Sequence, residues 1–269
     1  MWTPGGRRGH VEKLIKEVDE YFALGLVVKP GDVVFDVGAN VGLFAMAVAR
    51  RCPQARIYAF EPIAPLFQAL EQNLFAFRKG GGEVHFFPIG IAANQDETSA
   101  DFYFFRRFPS DSTRYIEAKR REHYAFFDRG AERWRSMRMV PAVASDVVQR
   151  LVRTLAKVRL GPWLSDQISG IERFRCDLRT LSHIIDSHAV GRIDVIKIDV
   201  EGAELDVLRG ILPEHWSRVQ KVVIEGHDED GALSRVRALL REVGLIHFVE
   251  SVPACATNGL NNYLLFASR

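Results

Sequence analysis

Cysteine is scarce in this 269-residue chain: Cys52, Cys176 and Cys255 are an odd number at wide spacing, with no C-x-x-C pair. That excludes a disulfide framework, offers no structural zinc or dithiol redox centre, and fits a reducing, cytoplasmic setting. No run of about eighteen apolar residues occurs, and no apolar signal core follows the polar start WTPGGRRGH, so neither a spanning nor a targeting segment is expected. Net charge is nearly absent too. With 36 basic and 34 acidic residues the formal charge is +2, which gives no global case for nucleic acid or an acidic membrane. Any basic face has to be local. Internal repeats and low-complexity tracts are also missing. What remains is an ordinary globular composition, 47% hydrophobic and 26% charged, long enough to bury a substantial core in a single domain over 1–269.

Periodicity organises that domain. VEKLIKEVDEYFALG places Val11, Leu14, Ile15, Val18 and Phe22 at helical spacing within an N-terminal helical segment, 11–27, with Gly25 as its stop. VVFDV is a continuous apolar run, as in a strand covered on both faces. LFAMAVARR then reads as helix, ARIYAFEP as strand, PLFQALEQNLFAFRKGG as helix with Phe67, Leu70, Leu74 and Phe77 on one face, and VHFFPIGI as strand. The alternation halts from Asn94 to Arg192 and restarts with IDVIKIDVEG. ELDVLRGIL, KVVIEGH, GALSRVRALLREVG, IHFVES and NYLLFAS continue it, the last preceded by an N-G turn at Asn258 and Gly259. Strand and helix units in this order predict an α/β, doubly wound, mostly parallel sheet. The long gap is expected to hold a helical cap, an insertion over 94–180 before the fourth core strand.

In such sheets a ligand sits outside the carboxyl ends of the strands, near the reversal in strand order. VVFDVGANVGLFA lies there. Gly38 and Gly42 let backbone approach a ligand closely, and the helix that follows presents free N–H groups. Their spacing is G-x-x-x-G, so the G-x-G-x-x-G pattern of a dinucleotide loop is missing. Asp36 at the end of the first strand would repel a diphosphate and suit a cation. Glu61 at the end of the second strand suits the two hydroxyls of a ribose. An amino-acid end, a positive centre and an adenosine satisfy both carboxylates, which describes S-adenosylmethionine.

The segments DVVFDVGANVGLFA, FEP and IDVIKIDVEGAELDVLRG resemble the signature segments of the FkbM-type methyltransferases, class I enzymes dependent on S-adenosylmethionine and known for O-methylation of small molecules. The resemblance covers about residues 30–93 and 173–227 and leaves the insertion poorly matched. It implies a seven-stranded Rossmann-like sheet. It also implies cofactor contacts from Asp36, Gly38, Ala39, Asn40 and Gly42, from Glu61 and Pro62, and from Asp199, with Lys197, Glu201, Gly202 and Glu204 completing the fourth-strand motif. Each has a plainer structural reading: a tight turn for the glycines, a helix-start carboxylate for Glu61, a satisfied lysine and carboxylate cluster for Lys197, and a helix first turn for Glu204 and Asp206. DVEG stands in the place of the N-P-P-Y or similar tetrapeptide that enzymes methylating nucleobase amines or glutamine amides commonly show, which disfavours N-methylation.

A hydroxyl acceptor must lose its proton as its oxygen attacks, either to a base or through a metal that acidifies it. Asp199 and Glu201, with Lys197, are expected on one side of an extended fourth strand, with Glu225 and His227 at the end of the fifth. Convergence of Asp199, Glu201, Glu225 and His227 would serve either His227 as direct base or a hard cation such as Mg²⁺. Over 114–159 the insertion carries twelve basic against five acidic residues, interleaved with aromatics. This fits a solvated cap, or a basic surface for a phosphate-bearing or carrier-tethered acceptor such as one on an acyl carrier protein. The expected function is methylation of a hydroxyl on a small metabolite or carrier-tethered intermediate of secondary metabolism, with S-adenosylhomocysteine as coproduct. The alternatives are an RNA or nucleotide 2'-hydroxyl methyltransferase, disfavoured because no RNA-binding module is present, and a non-catalytic S-adenosylmethionine-binding protein.

Overall fold

The structure, a computed structural model, describes residues 8–106, 109–121, 170–228, 230–252 and 262–269. Seven strands form the main sheet: β1 (Val33–Val37), β2 (Arg56–Phe60), β3 (Glu83–Phe87), β7 (Val195–Ile198), β8 (Lys221–His227), β9 (His247–Ser251) and β10 (Asn262–Ser268). Their order is β3-β2-β1-β7-β8-β10-β9. All neighbours are parallel except β10, which runs antiparallel between β8 and β9. The chain leaves β1 toward β2 and β3, then returns to β7 on the other flank of β1. The reversal in strand order therefore falls between β1 and β7, the position at which open α/β sheets bind ligands.

Burial follows the apolar pattern. Every residue of β1 is buried, Asp36 included. Val34, Val195, Val223 and Leu264 face one layer with Tyr21 and Phe22 of α1 (Arg8–Ala23), Phe44, Ala45 and Val48 of α2 (Leu43–Arg51), and Leu70 and Leu74 of α3 (Ala64–Lys79). Phe35, Ile196, Ile198, Val222 and Ile224 face the other, against the helices Leu181–Ser187, Glu204–Arg209, Pro213–Trp216 and Ala232–Glu242. The last of these buries Val236 and Leu240 and packs Leu233, Leu239 and Val243 partly against the same layer. On α1, Val18 and Phe22 turn inward as the spacing predicts, whereas Ile15 is exposed. Gly25, at φ 99°, ends that segment.

The described flanks of the insertion are β structure. β5 (Ser99–Phe105) pairs antiparallel with β6 (Ile171–Arg179), which pairs parallel with the two-residue β4 (Gly90–Ile91). VHFFPIGI is thus divided: its first half joins the main sheet as β3 and its end joins this smaller sheet as β4. Residues 116–121 are helical. The helical cap expected between them falls mostly on 122–169, outside the described residues, as do the N-G turn at Asn258 and Gly259 and Cys255.

Candidate active site

At the carboxyl edge of β1 the chain must reverse within a few residues and start α2. Gly38, at φ 76°, makes this possible: a Cβ there would lie 1.9 Å from the carbonyl oxygen of Asp199, an impossible distance. Gly42 has φ 85°, and its Cβ would press on Leu70. Asn40 is also left-handed at φ 51°, a conformation that asparagine tolerates better than most residues. Its amide nitrogen donates to Pro109 O, and its Oδ1 accepts from Val41 N–H at 2.8 Å. The turn is tied to β2 as well, since Gly38 and Ala39 both donate N–H to Phe60 O.

Glu61 joins the same turn from β2. One carboxylate oxygen accepts from Asn40 N–H and the other from Ile63 N–H, both at 2.9 Å. Burial pushes its carboxyl up to about 7, against the pull of those two N–H groups. Each oxygen retains a free lone pair, so a ribose diol remains a fitting partner. Pro62 contributes its carbonyl, which faces the thiol of Cys176 on β6 at 3.2 Å.

Asp36 is wholly buried beneath the turn, and neither of its oxygens meets a donor in good hydrogen-bond geometry. The cation expected beside it is the protein's own. Lys197, opposite Asp36 in the β1–β7 register, places Nζ 3.3 Å from Asp36 Oδ1, 3.3 Å from Asp199 Oδ2 and 2.9 Å from Gly38 O, to which it donates. The surrounding carboxylates raise the lysine's affinity for its proton, whereas burial is the main cause raising that of Asp36. Asp36 therefore acts on the turn through Lys197. Asp199, whose side chain is 35% exposed, is the member of this trio that solvent and a ligand can reach.

Glu201 does not continue the row of Lys197 and Asp199. β7 ends at Ile198, and Glu201, at φ 51°, and Gly202, at φ 102°, form a left-handed turn that redirects the chain. The expected extended strand is corrected here; an E-G pair after an apolar run was the available signal for a turn. Glu201 Oε2 comes to rest 2.7 Å from Lys119 Nζ and 3.9 Å from His227 Nδ1. Glu204 is buried in the first turn of its helix and accepts Gly202 N–H at 2.8 Å, the structural role expected for it. Glu225 lies on the α1 side of β8, where it accepts the Tyr21 hydroxyl at 2.6 Å.

The four candidates for a metal thus divide among different partners. Among the described residues no group of three or more His, Cys, Asp or Glu side chains is placed to hold a metal ion, so the Mg²⁺ expectation has no donor set here. Lys119, Thr113 and Tyr21 went unrecognised in the sequence, because no spacing rule connects them to residues 82, 88 and 204 positions away.

A doubly wound sheet with a glycine turn at its switch point and an acidic end to the second strand defines the class I methyltransferase arrangement. Residues 36–246 match the methyltransferase FkbM domain, and the chain belongs to that family. It is 33% identical over 236 residues to the 31-O-demethyl-FK506 methyltransferase FkbM of Streptomyces tacrolimicus, covering 88% of this chain and 81% of that one. It is 36% identical over 225 residues to the AMB antimetabolite synthetase AmbE of Pseudomonas aeruginosa, covering 80% of this chain but only 9% of that protein. Among solved structures it is similar to the methyltransferase FkbM of Methylobacillus flagellatus, with a TM-score of 0.48 and 14% identity over 90% of this chain and 45% of that one. The protein is a methyltransferase. Among the described residues no helix is long and apolar enough to cross a membrane.

Proposed function

We propose that the protein is an S-adenosylmethionine-dependent O-methyltransferase acting on a hydroxyl of a small metabolite or of a carrier-tethered intermediate. The observation that carries this reading is an imidazole, His227, 3.9 Å from the Glu201 carboxylate at the strand edge that also holds the glycine turn. The name of the Streptomyces relative denotes a reaction at an oxygen, which supports the same chemistry, and the match within a synthetase supports an acceptor handled during assembly.

Glu61 would take the ribose hydroxyls, the exposed Asp199 the amino end, and Gly38, Ala39, Asn40 and Gly42 the close backbone contacts. When bound, S-adenosylmethionine supplies a methyl carbon whose bond to sulfur breaks, the electron pair staying on sulfur, as the acceptor oxygen bonds to it. His227 receives the hydroxyl proton. Its Nδ1 lies 3.9 Å from the Glu201 carboxylate, whose negative charge favours the imidazolium that forms. General-base catalysis of this kind contributes about 10²–10⁴-fold.

The test is methyl transfer to a panel of hydroxylated acceptors beginning with 31-O-demethyl-FK506, with the methylated atom located by NMR. A methyl ether, with His227→Gln slowed at least about 100-fold and no effect of a chelator, is expected. A methylated nitrogen, or undiminished turnover in His227→Gln, would overturn the assignment.

A further inference from the structure

Lys119 belongs to the helical stretch at 116–121 and is almost completely buried, which is costly for an ammonium unless it is paired. Its Nζ donates to Glu201 Oε2 at 2.7 Å, and that same oxygen faces His227 Nδ1. Six residues earlier, Thr113 Oγ1 donates to the Glu201 carbonyl at 2.8 Å and accepts Tyr115 N–H at 3.0 Å. Tyr115 packs over the Gly202 turn, and its hydroxyl donates to Asp206. The stretch from Thr113 to Lys119 therefore grips both the backbone and the side chain of Glu201. The grip holds a residue at φ 51°, a left-handed conformation that is unfavourable for a residue other than glycine.

We propose that Lys119 is a positioning residue for the methyl transfer: its ammonium keeps the Glu201 carboxylate ionised and beside His227 Nδ1, which favours the imidazole tautomer that carries its proton on Nδ1. This rests on the reading of His227 as the base. Residues 113–119 of the insertion then complete the proton-accepting array.

The charges around the pair agree with this role. Asp111 of the insertion and Asp199 at the end of β7 oppose ionisation of Glu201, and burial opposes it most, pushing its carboxyl up to about 7. Lys119 is the foremost group acting the other way, followed by His227. Glu204 in the next helix also faces His227, Asp228 follows it in the chain, and Asn262 lies opposite it on β10. Without Lys119 the foremost group opposing burial is lost, so Glu201 is left neutral and faces Nδ1 as a donor rather than an acceptor.

The tautomer of the neutral His227 imidazole, read from its ring ¹⁵N chemical shifts by NMR in the ligand-free protein, provides the test. Wild type should carry the proton on Nδ1, Lys119→Met should shift it toward Nε2, and Lys119→Arg, which keeps the charge, should restore it. An unchanged tautomer in Lys119→Met, or an equal shift in Lys119→Arg, overturns the proposal. Should Lys119→Met not fold, Glu201→Gln serves: the bias toward Nδ1–H must be lost, and an unmoved one is equally fatal. Undiminished turnover in His227→Gln alongside the predicted tautomer shifts would instead sink the base reading alone.

Discussion

Glu61 shows at the scale of one residue how burial prepares a group for a ligand. Its carboxylate is almost completely buried, and its only hydrogen-bond donors among the described residues are two backbone N–H groups. Burial outweighs them and leaves its proton affinity near neutrality, at about 7. Both hydroxyls of a ribose diol are best accepted by the ionised form, since a protonated carboxyl turns one of its oxygens into a donor. Below pH 7 the free site holds a proton that binding must expel; above it, none. The affinity for S-adenosylhomocysteine should therefore rise between pH 6 and pH 8 and level off beyond, with proton release at the acid end. Calorimetry in two buffers of different ionisation enthalpy measures both quantities. A flat affinity with no proton release would show that Glu61 does not face the diol. Its place at the end of β2 was legible in the sequence, because FEP closes an apolar run. Its double backbone contact was not, since Asn40 N–H arrives from a different strand.

Among the elements, the helices behind the sheet are fastened by a polar clamp that no motif announces. Ser182 Oγ accepts Leu212 N–H at 2.7 Å and lies 2.8 Å from His215 Nδ1, while His215 Nε2 stands 3.0 Å from Asp186. The trio has the composition of a hydrolytic triad, but Ser182 and His215 are buried, and the serine oxygen is engaged with backbone. It joins the helix Leu181–Ser187 to the helix Pro213–Trp216 and so supports the near side of β7. Ser182→Ala removes the partner of the buried His215 Nδ1 and of Leu212 N–H, and should cost about 1–3 kcal/mol in urea unfolding while leaving the chemistry intact. No loss of stability would show the clamp to be dispensable.

The same scale explains what could be read in advance. Buried parallel strands must be apolar throughout, so β1, β2, β7 and β8 stand out as runs, and helices covering one face keep their spacing. The turn at Glu201 broke the expected period because left-handed backbone carries no side-chain signature apart from the neighbouring glycine. The two strands flanking the insertion, β5 and β6, lie about seventy residues apart in the sequence. Such a pairing leaves no local trace.

Over the whole molecule, two polar arrays share one sheet edge. Asp36, Lys197 and Asp199 brace the glycine turn from beneath, and Lys119, Glu201 and His227 join the insertion to the end of β8. On the proposed assignment the first serves the cofactor and the second the acceptor, so the two sites should fail separately. Variants of exposed insertion residues such as Arg120→Ser and Arg121→Ser are expected to keep cofactor affinity. The measurement that tests the cofactor assignment most directly is calorimetric titration of the wild-type protein and Glu61→Ala with S-adenosylhomocysteine, in variants shown by circular dichroism to be folded. Saturable binding to wild type, weakened by roughly 1.5–3 kcal/mol in Glu61→Ala, is the result expected for hydrogen bonds lost from a charged group. Binding of equal strength in the two proteins, or none in the wild type, would contradict it.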